Sequence, residues 1–390
     1  MSLTRRLCLV TALVVPVAAN TARQASAPSP ADVTAAIDRL ASLDSYDDRM
    51  EAARTVRRAP ADVAVPLLVR AARAHADEYV RYKSLVLLSG FAHPSTRDLM
   101  AGLLGDRNDR IRTVVAAWFE HHPDPAVLPR LIAALSGETS EFVRPALTRA
   151  VAAHGDDPRA RETLAPLVLR GEDYFRGAVI EALGEYRGAY ALEEIETVAR
   201  LDGPLQDDAI TAIGRIGDRT RLPALIEVQK SAADSLQPTV SASLCLLGLN
   251  CETHATFVVA TLGFASAAPD RQELLRGAVH AAGMLARAGR EDALAALLRV
   301  GAAASPSAQA PVALGVGLVA LRDPALVLRT LARSPARQQA VLLLRDAFDM
   351  LNEDFEEERF FVAVRRAFWT AAEGSAERDV ADALIRVLEF

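Results

Sequence analysis

With 390 residues, 44 basic against 50 acidic side chains and 51% apolar residues, the chain is long enough for two or three globular domains or for one array of repeated units. Only Lys83 and Lys230 are lysine, and the arginines are spread along the chain without a basic tract. An acidic balance of that kind argues against a nucleic-acid binder.

Residues 1–27 read as a processing segment. Arg5 and Arg6 precede an apolar run from Leu7 to Ala19, and small residues follow at Val17-Ala18-Ala19 and Ala25-Ser26-Ala27. This is the layout of a secretory signal peptide, too short to span a bilayer. Thr4-Arg5-Arg6 also fits a twin-arginine signal. Cys8 precedes the apolar run and is not placed like a lipidated cysteine. Cleavage between about Ala19 and Pro28 leaves 41 basic against 50 acidic residues, a balance of −9. The expectation is a periplasmic or secreted protein with no stable membrane span.

From Pro28 onward the apolar residues recur at helical spacing, in pairs of segments. The predicted pairs are 32–43 with 46–58, 62–75 with 78–90, 95–104 with 108–121, 125–136 with 140–154, and 159–170 with 173–186. They continue as 190–201 with 205–216, 220–232 with 237–248, 253–265 with 270–287, 291–303 with 308–321, and 325–333 with 337–351. A last pair, 354–372 with 376–390, closes the series. No stretch alternates at period two for long enough to argue a strand. Gly155, Gly217, Asn250 and Gly289 follow the last apolar residue of a helix and suit left-handed caps.

The pairs are copies of one unit. Leu183-Gly184 leads to Leu192 and Ile195, and Ile213-Gly214 leads to Leu222 and Leu225. Upstream in each unit stands acid, any residue, apolar, arginine, as in Glu78 to Arg81, Asp109 to Arg112, Glu141 to Arg144, Asp173 to Arg176 and Glu273 to Arg276. A period near thirty means stacked supersecondary units. Ile213-Gly214-Arg215-Ile216-Gly217-Asp218 running into Leu222-Pro223-Ala224-Leu225 resembles a HEAT repeat, of the kind also called bilin-lyase HEAT-like. Pro66, Pro129, Pro166 and Pro223 in first helices belong to the same habit. The likeness weakens at 231–268 and 301–318, where the arginine signature is lost. It implies an all-α, right-handed α-solenoid of about ten repeats, single over 28–390, with 352–390 as capping helices.

A solenoid exposes one long curved surface, and the resemblance puts the second helices along its inner side. Arg81, Arg112, Arg144, Arg176 and Arg276 border the neighbouring repeat and are expected to form a ladder with nearby acids and carbonyls. Arg149, Glu181 and Asp207 fall on the inner face and are the candidate binding residues. His93, His122 and His154 lie in successive turns too far apart for one metal ion, so no metal and no cofactor is expected. Cys245 and Cys251 flank a helix end and are candidates for a disulfide in an oxidising compartment. The acidic run from Glu353 to Glu358 and the C-terminal aromatics, six of the twelve Phe with Trp369, read as a cap that shows water a polar face, with an aromatic docking site as the alternative.

No Gly-rich phosphate loop, nucleophile elbow, His-Glu-x-x-His or Cys-x-x-Cys occurs. The expectation is a non-catalytic scaffold that binds another protein or peptide in the cell envelope. An assembly factor of an envelope complex is the alternative, and a bilin-lyase-like enzyme the third.

Overall fold

Twenty-two α-helices stack as eleven hairpins in the computed structural model, which describes residues 27–42 and 45–390. The first hairpins pair α1 (Pro30–Arg39) with α2 (Tyr46–Arg58), α3 (Ala61–Ala74) with α4 (Glu78–Ser89), and α5 (Ser95–Leu103) with α6 (Asp109–His121). Next come α7 (Leu128–Gly137) with α8 (Val143–Ala152), α9 (Pro158–Leu164) with α10 (Asp173–Glu185), and α11 (Leu192–Ala199) with α12 (Gln206–Ile216). Then follow α13 (Leu222–Ser231) with α14 (Gln237–Leu246), α15 (Cys251–Ser266) with α16 (Gln272–Arg287), and α17 (Glu291–Ala303) with α18 (Pro306–Arg322). The last are α19 (Pro324–Arg333) with α20 (Arg337–Leu351), and α21 (Asp354–Thr370) with α22 (Ala376–Leu388). The apolar spacing therefore located every helix. The described residues contain no strand, and none of their helices is long and apolar enough to cross a membrane. The expected signal peptide lies outside them, apart from its last residue.

Local chemistry explains the boundaries. Asp77, Asn108 and Asp157 cap α4, α6 and α9 by accepting backbone N–H groups of the first turn. Pro166 has no N–H to continue the ladder, so α9 stops at Leu164 and a 3₁₀ turn over Ala165–Val168 replaces the expected helical end. Gly217, Asn250 and Gly289 adopt left-handed backbone as expected, whereas Gly155 does not.

The repeated apolar-glycine step is a packing device. A Cβ on Gly184 would stand 2.8 Å from Ala212 Cα, and one on Gly214 would stand 2.7 Å from Ser243 Cβ. The second helices α10, α12 and α14 thus approach almost backbone to backbone, and the Ser243 hydroxyl donates to the Ile210 carbonyl at 2.9 Å. Second helices stack on one another from α4 to α22 and line the inside of the array.

The array does not stay open. Helix α21 crosses back to pack on α4 and α6, and Phe355 joins the apolar core of the first seven hairpins. At the far end, Arg54 on α2 donates to the Glu389 carbonyl at 3.3 Å. The acidic run, expected to face water, instead turns inward, with Glu356 and Glu358 buried. The C-terminal hairpin is a closure that joins the last repeat to the first three.

Candidate functional site

The closure fills the inner space with charge. Glu120 on α6 is completely buried and accepts from Arg149 Nε at 3.0 Å, Arg322 Nη1 at 2.8 Å and the Tyr186 hydroxyl at 3.0 Å. Four hairpins meet at that carboxylate. Glu356 on α21 lies 2.8 Å from His121 Nε2 and also binds Arg359. Glu358, 1% exposed, pairs with Arg57 at 2.7 Å and Arg365 at 3.2 Å. Asp354 holds both the Tyr82 hydroxyl and Lys83.

The electrostatics follow from this pairing. Burial opposes ionisation of Glu356, but the hydrogen bond and charge of His121, with Arg322 and Arg359, hold its carboxyl down at about 2. Burial also opposes ionisation of Glu120, and Arg149 and Arg322 hold it below the usual carboxylate range. Burial and the Asp354 charge push the Tyr82 hydroxyl up. Oxygens of Glu120 and Glu356 and a nitrogen of His121 lie within 4.8 Å of one another, a donor set of metal-binding type. The guanidiniums of Arg149, Arg322 and Arg359 already occupy those carboxylates. A cation would have to displace them, so the cluster is an ion-pair hub. Sequence reasoning missed it because the pairings on Glu120 and His121 that assemble it span 29 to 238 residues.

The inner-face candidates separate. Arg149, expected to be exposed, is spent on Glu120 inside the hub. Asp207 is half-buried and its Oδ1 has no hydrogen-bond partner. Glu181 is exposed and lines a cleft of about 510 Å³ between α8, α10 and α12, together with Asp208. Glu353, from the turn before α21, and Asp173, which is paired with Arg176, add two further carboxylates to the cleft. Phe142 and Tyr174 form its rim with 67% and 62% of their surface exposed. Arg149 is the one cation on its walls, and it is already paired. Burial, then Asp207 and Glu181, push the Asp208 carboxyl up to about 7 against the opposing pull of Arg215. Burial likewise raises Glu353.

The arginine series is uneven. Arg81 donates to the Ala72 carbonyl at 3.1 Å and pairs with Asp106 in the next hairpin. Arg112 grips Glu138 with two hydrogen bonds of 2.8 and 2.9 Å and also donates to the Asp106 carbonyl. Arg176 reaches the Val168 carbonyl and its own Asp173. Arg144 stacks on the Phe175 ring at 3.6 Å, and its Nε has no acceptor. Arg276 is exposed and has no side-chain hydrogen bond or ion pair among the described residues. The partners of Arg81 and Arg112 are acids about 25 positions downstream rather than the acid of the motif. Arg170 stands at the equivalent place for Arg144, which is the signal that separates them.

Cys245 and Cys251 are joined in a disulfide. His93, His122 and His154 do not converge: His93 bonds Ser95, His122 stacks on Trp118, and His154 is buried with Nε2 unpartnered.

Comparison with known proteins gives one family match over part of the chain and several distant structural likenesses. The HEAT-repeat family matches residues 96–184. Among curated protein sequences, none is similar to the chain. Among solved structures, the complex of CpcE and CpcF of phycocyanin lyase from Nostoc sp. PCC7120 is 17% identical. Its TM-score is 0.40, covering 60% of this chain and 92% of that one. Importin beta is 13% identical at a TM-score of 0.43, covering 92% of this chain and 64% of its own length. Yeast importin-beta (Kap95p) is 12% identical at 0.42, covering 92% and 57%. The eleven stacked hairpins form an α-solenoid, and residues 96–184 of it match the HEAT-repeat family.

Proposed function

We propose that the chain is an exported, non-catalytic scaffold whose cleft between α8, α10 and α12 takes a basic segment of another protein. One observation carries the reading. Glu181, Asp208 and Glu353 face a cleft without ion-pair partners, beside two exposed aromatic rings, while the neighbouring hub has its charges paired. Aromatic rings bind both apolar stems and cationic heads, and unpaired carboxylates select the charge.

The non-catalytic part rests on the hub. Glu120, His121 and Glu356 are committed to one another's neighbours and to guanidiniums, deep in packed structure. Export is supported by the charged and then apolar start of the chain and by the Cys245–Cys251 bond, which persists in oxidising compartments.

The test is capture from an envelope fraction by the native protein and by a Glu181→Lys, Tyr174→Ala variant. Both positions are exposed, so the fold should be kept. The reading requires one stoichiometric partner, bound through a Lys- or Arg-rich segment and lost with the variant. Equal recovery by both proteins would move the site away from the cleft.

A further inference from the structure

At the other end of the same inner helices lies a second cleft, of about 450 Å³, where α10, α12 and α16 finish. Its polar lining is dominated by Arg187, Arg215 and Arg287, with Glu185 as the one carboxylate and Met284 and Leu246 as apolar walls. Arg215 Nη1 lies 3.5 Å from one Glu185 oxygen, and Arg287 donates to the other. Arg187, exposed and in left-handed backbone, has no side-chain hydrogen bond or ion pair among the described residues.

Each guanidinium carries five N–H donors. Two arginines share one carboxylate and the third has none, so most donors around this cleft lack a protein acceptor. Burial and the like charge of Arg287 push the Arg215 guanidinium down, against Glu185 and Glu181. Arg215 keeps 19% of its side chain exposed, and its one ion pair among the described residues is the long contact to Glu185. The helix C-termini lend partial negative charge to the arginines, but no carbonyl there accepts from Arg187, Arg215 or Arg287 among the described residues.

We infer that this cleft binds an oxyanion, a phosphate or carboxylate group, held between Arg187, Arg215 and Arg287. Such groups match the planar fork of arginine two oxygens at a time. The site is separate from the acidic cleft and independent of the function proposed for it.

Calorimetric titration of the full chain tests it, with inorganic phosphate and with succinate at constant ionic strength. At least one probe should saturate with a Kd of about 1 mM or tighter. Arg187→Gln should weaken that binding about tenfold without shifting the melting temperature of the unliganded protein, since Arg187 holds no structural contact. Tighter binding of phosphate assigns the site to phosphoryl groups, and tighter binding of succinate to carboxylates. Failure of both probes to saturate by about 10 mM, or undiminished binding in both Arg187→Gln and Arg287→Gln, overturns the inference.

Discussion

Removing Glu120 tests the hub most directly. Glu120→Ala takes away a fully buried carboxylate and leaves the Arg149 and Arg322 guanidiniums facing each other across the gap, with the Tyr186 hydroxyl unpaired. Breaking a buried ion pair from one side costs about 3–5 kcal/mol, because the remaining charge stays desolvated. Arg149 and Arg322 each keep some contact with water, and Arg322 retains Glu356 at 4.0 Å. A loss near the lower end of that range is expected. Urea unfolding at pH 7 of the native chain, Glu120→Ala, Arg322→Ala and the double variant gives both the loss and the coupling. The coupling should lie within about 0.5–3 kcal/mol. Because the folded carboxyl sits below its ordinary value of 4.5, its contribution is present above that pH and fades as pH falls through the folded value. The gap between native protein and variant should therefore narrow in acid. A loss under about 1 kcal/mol at pH 7, or strict additivity with Arg322→Ala, would refute the hub as a stabilising junction.

Four further outcomes follow. A Cβ on Gly90 would stand 2.7 Å from Glu358 Oε1, which two guanidiniums hold in place, so Gly90→Ala should cost about 1–3 kcal/mol in chemical denaturation. Asp208 and Glu357 are both pushed up to about 7, above ordinary values of 3.8 and 4.5. The stability from their bound protons is full below those ordinary values and lost as pH rises through about 7, so Asp208→Asn with Glu357→Gln should flatten the pH profile and melt higher than native protein at pH 8. Reducing the Cys245–Cys251 bond, or Cys245→Ser with Cys251→Ser, should cost about 2 kcal/mol for so short a closed loop, and free thiols titrating in unfolded, unreduced protein would contradict the bond. Intact-mass measurement of native protein should show cleavage between Ala19 and Pro28, and a mature pool retaining Met1 or Ser2 would sink the export reading.

The repeat was legible because its information is local. Helix spacing, capping residues and the Leu183-Gly184 and Ile213-Gly214 steps all act within about one unit, and they located the hairpins. Arg81 and Arg112 were legible as bridging residues, although their true partners, Asp106 and Glu138, lie in the turns of the next hairpin. The hub was not legible. Position along a helix shows that Arg149 points inward, but what it meets depends on curvature summed over many repeats, and Arg322 arrives at the same carboxylate from 202 residues beyond Glu120. The acidic run misled for the same reason: Glu356 and Glu358 look like a solvated turn until Arg57 and His121 come round to meet them. The cleft was half legible, through Glu181, while its rim of Phe142 and Tyr174 stood in the motif's unconstrained second position.

The packing of α21 on α4 and α6, marked by the Tyr82–Asp354 bond across 272 residues, changes what kind of polymer this is. In an open solenoid each unit feels only its neighbours, so ends fray and the middle can persist alone. Joining last to first removes the free ends from the problem. Losing any one hairpin then releases the closure as well, and its cost falls on the whole ring rather than on two interfaces. A linear array of weakly coupled springs becomes a single hoop, which holds its curvature under load and comes apart all at once.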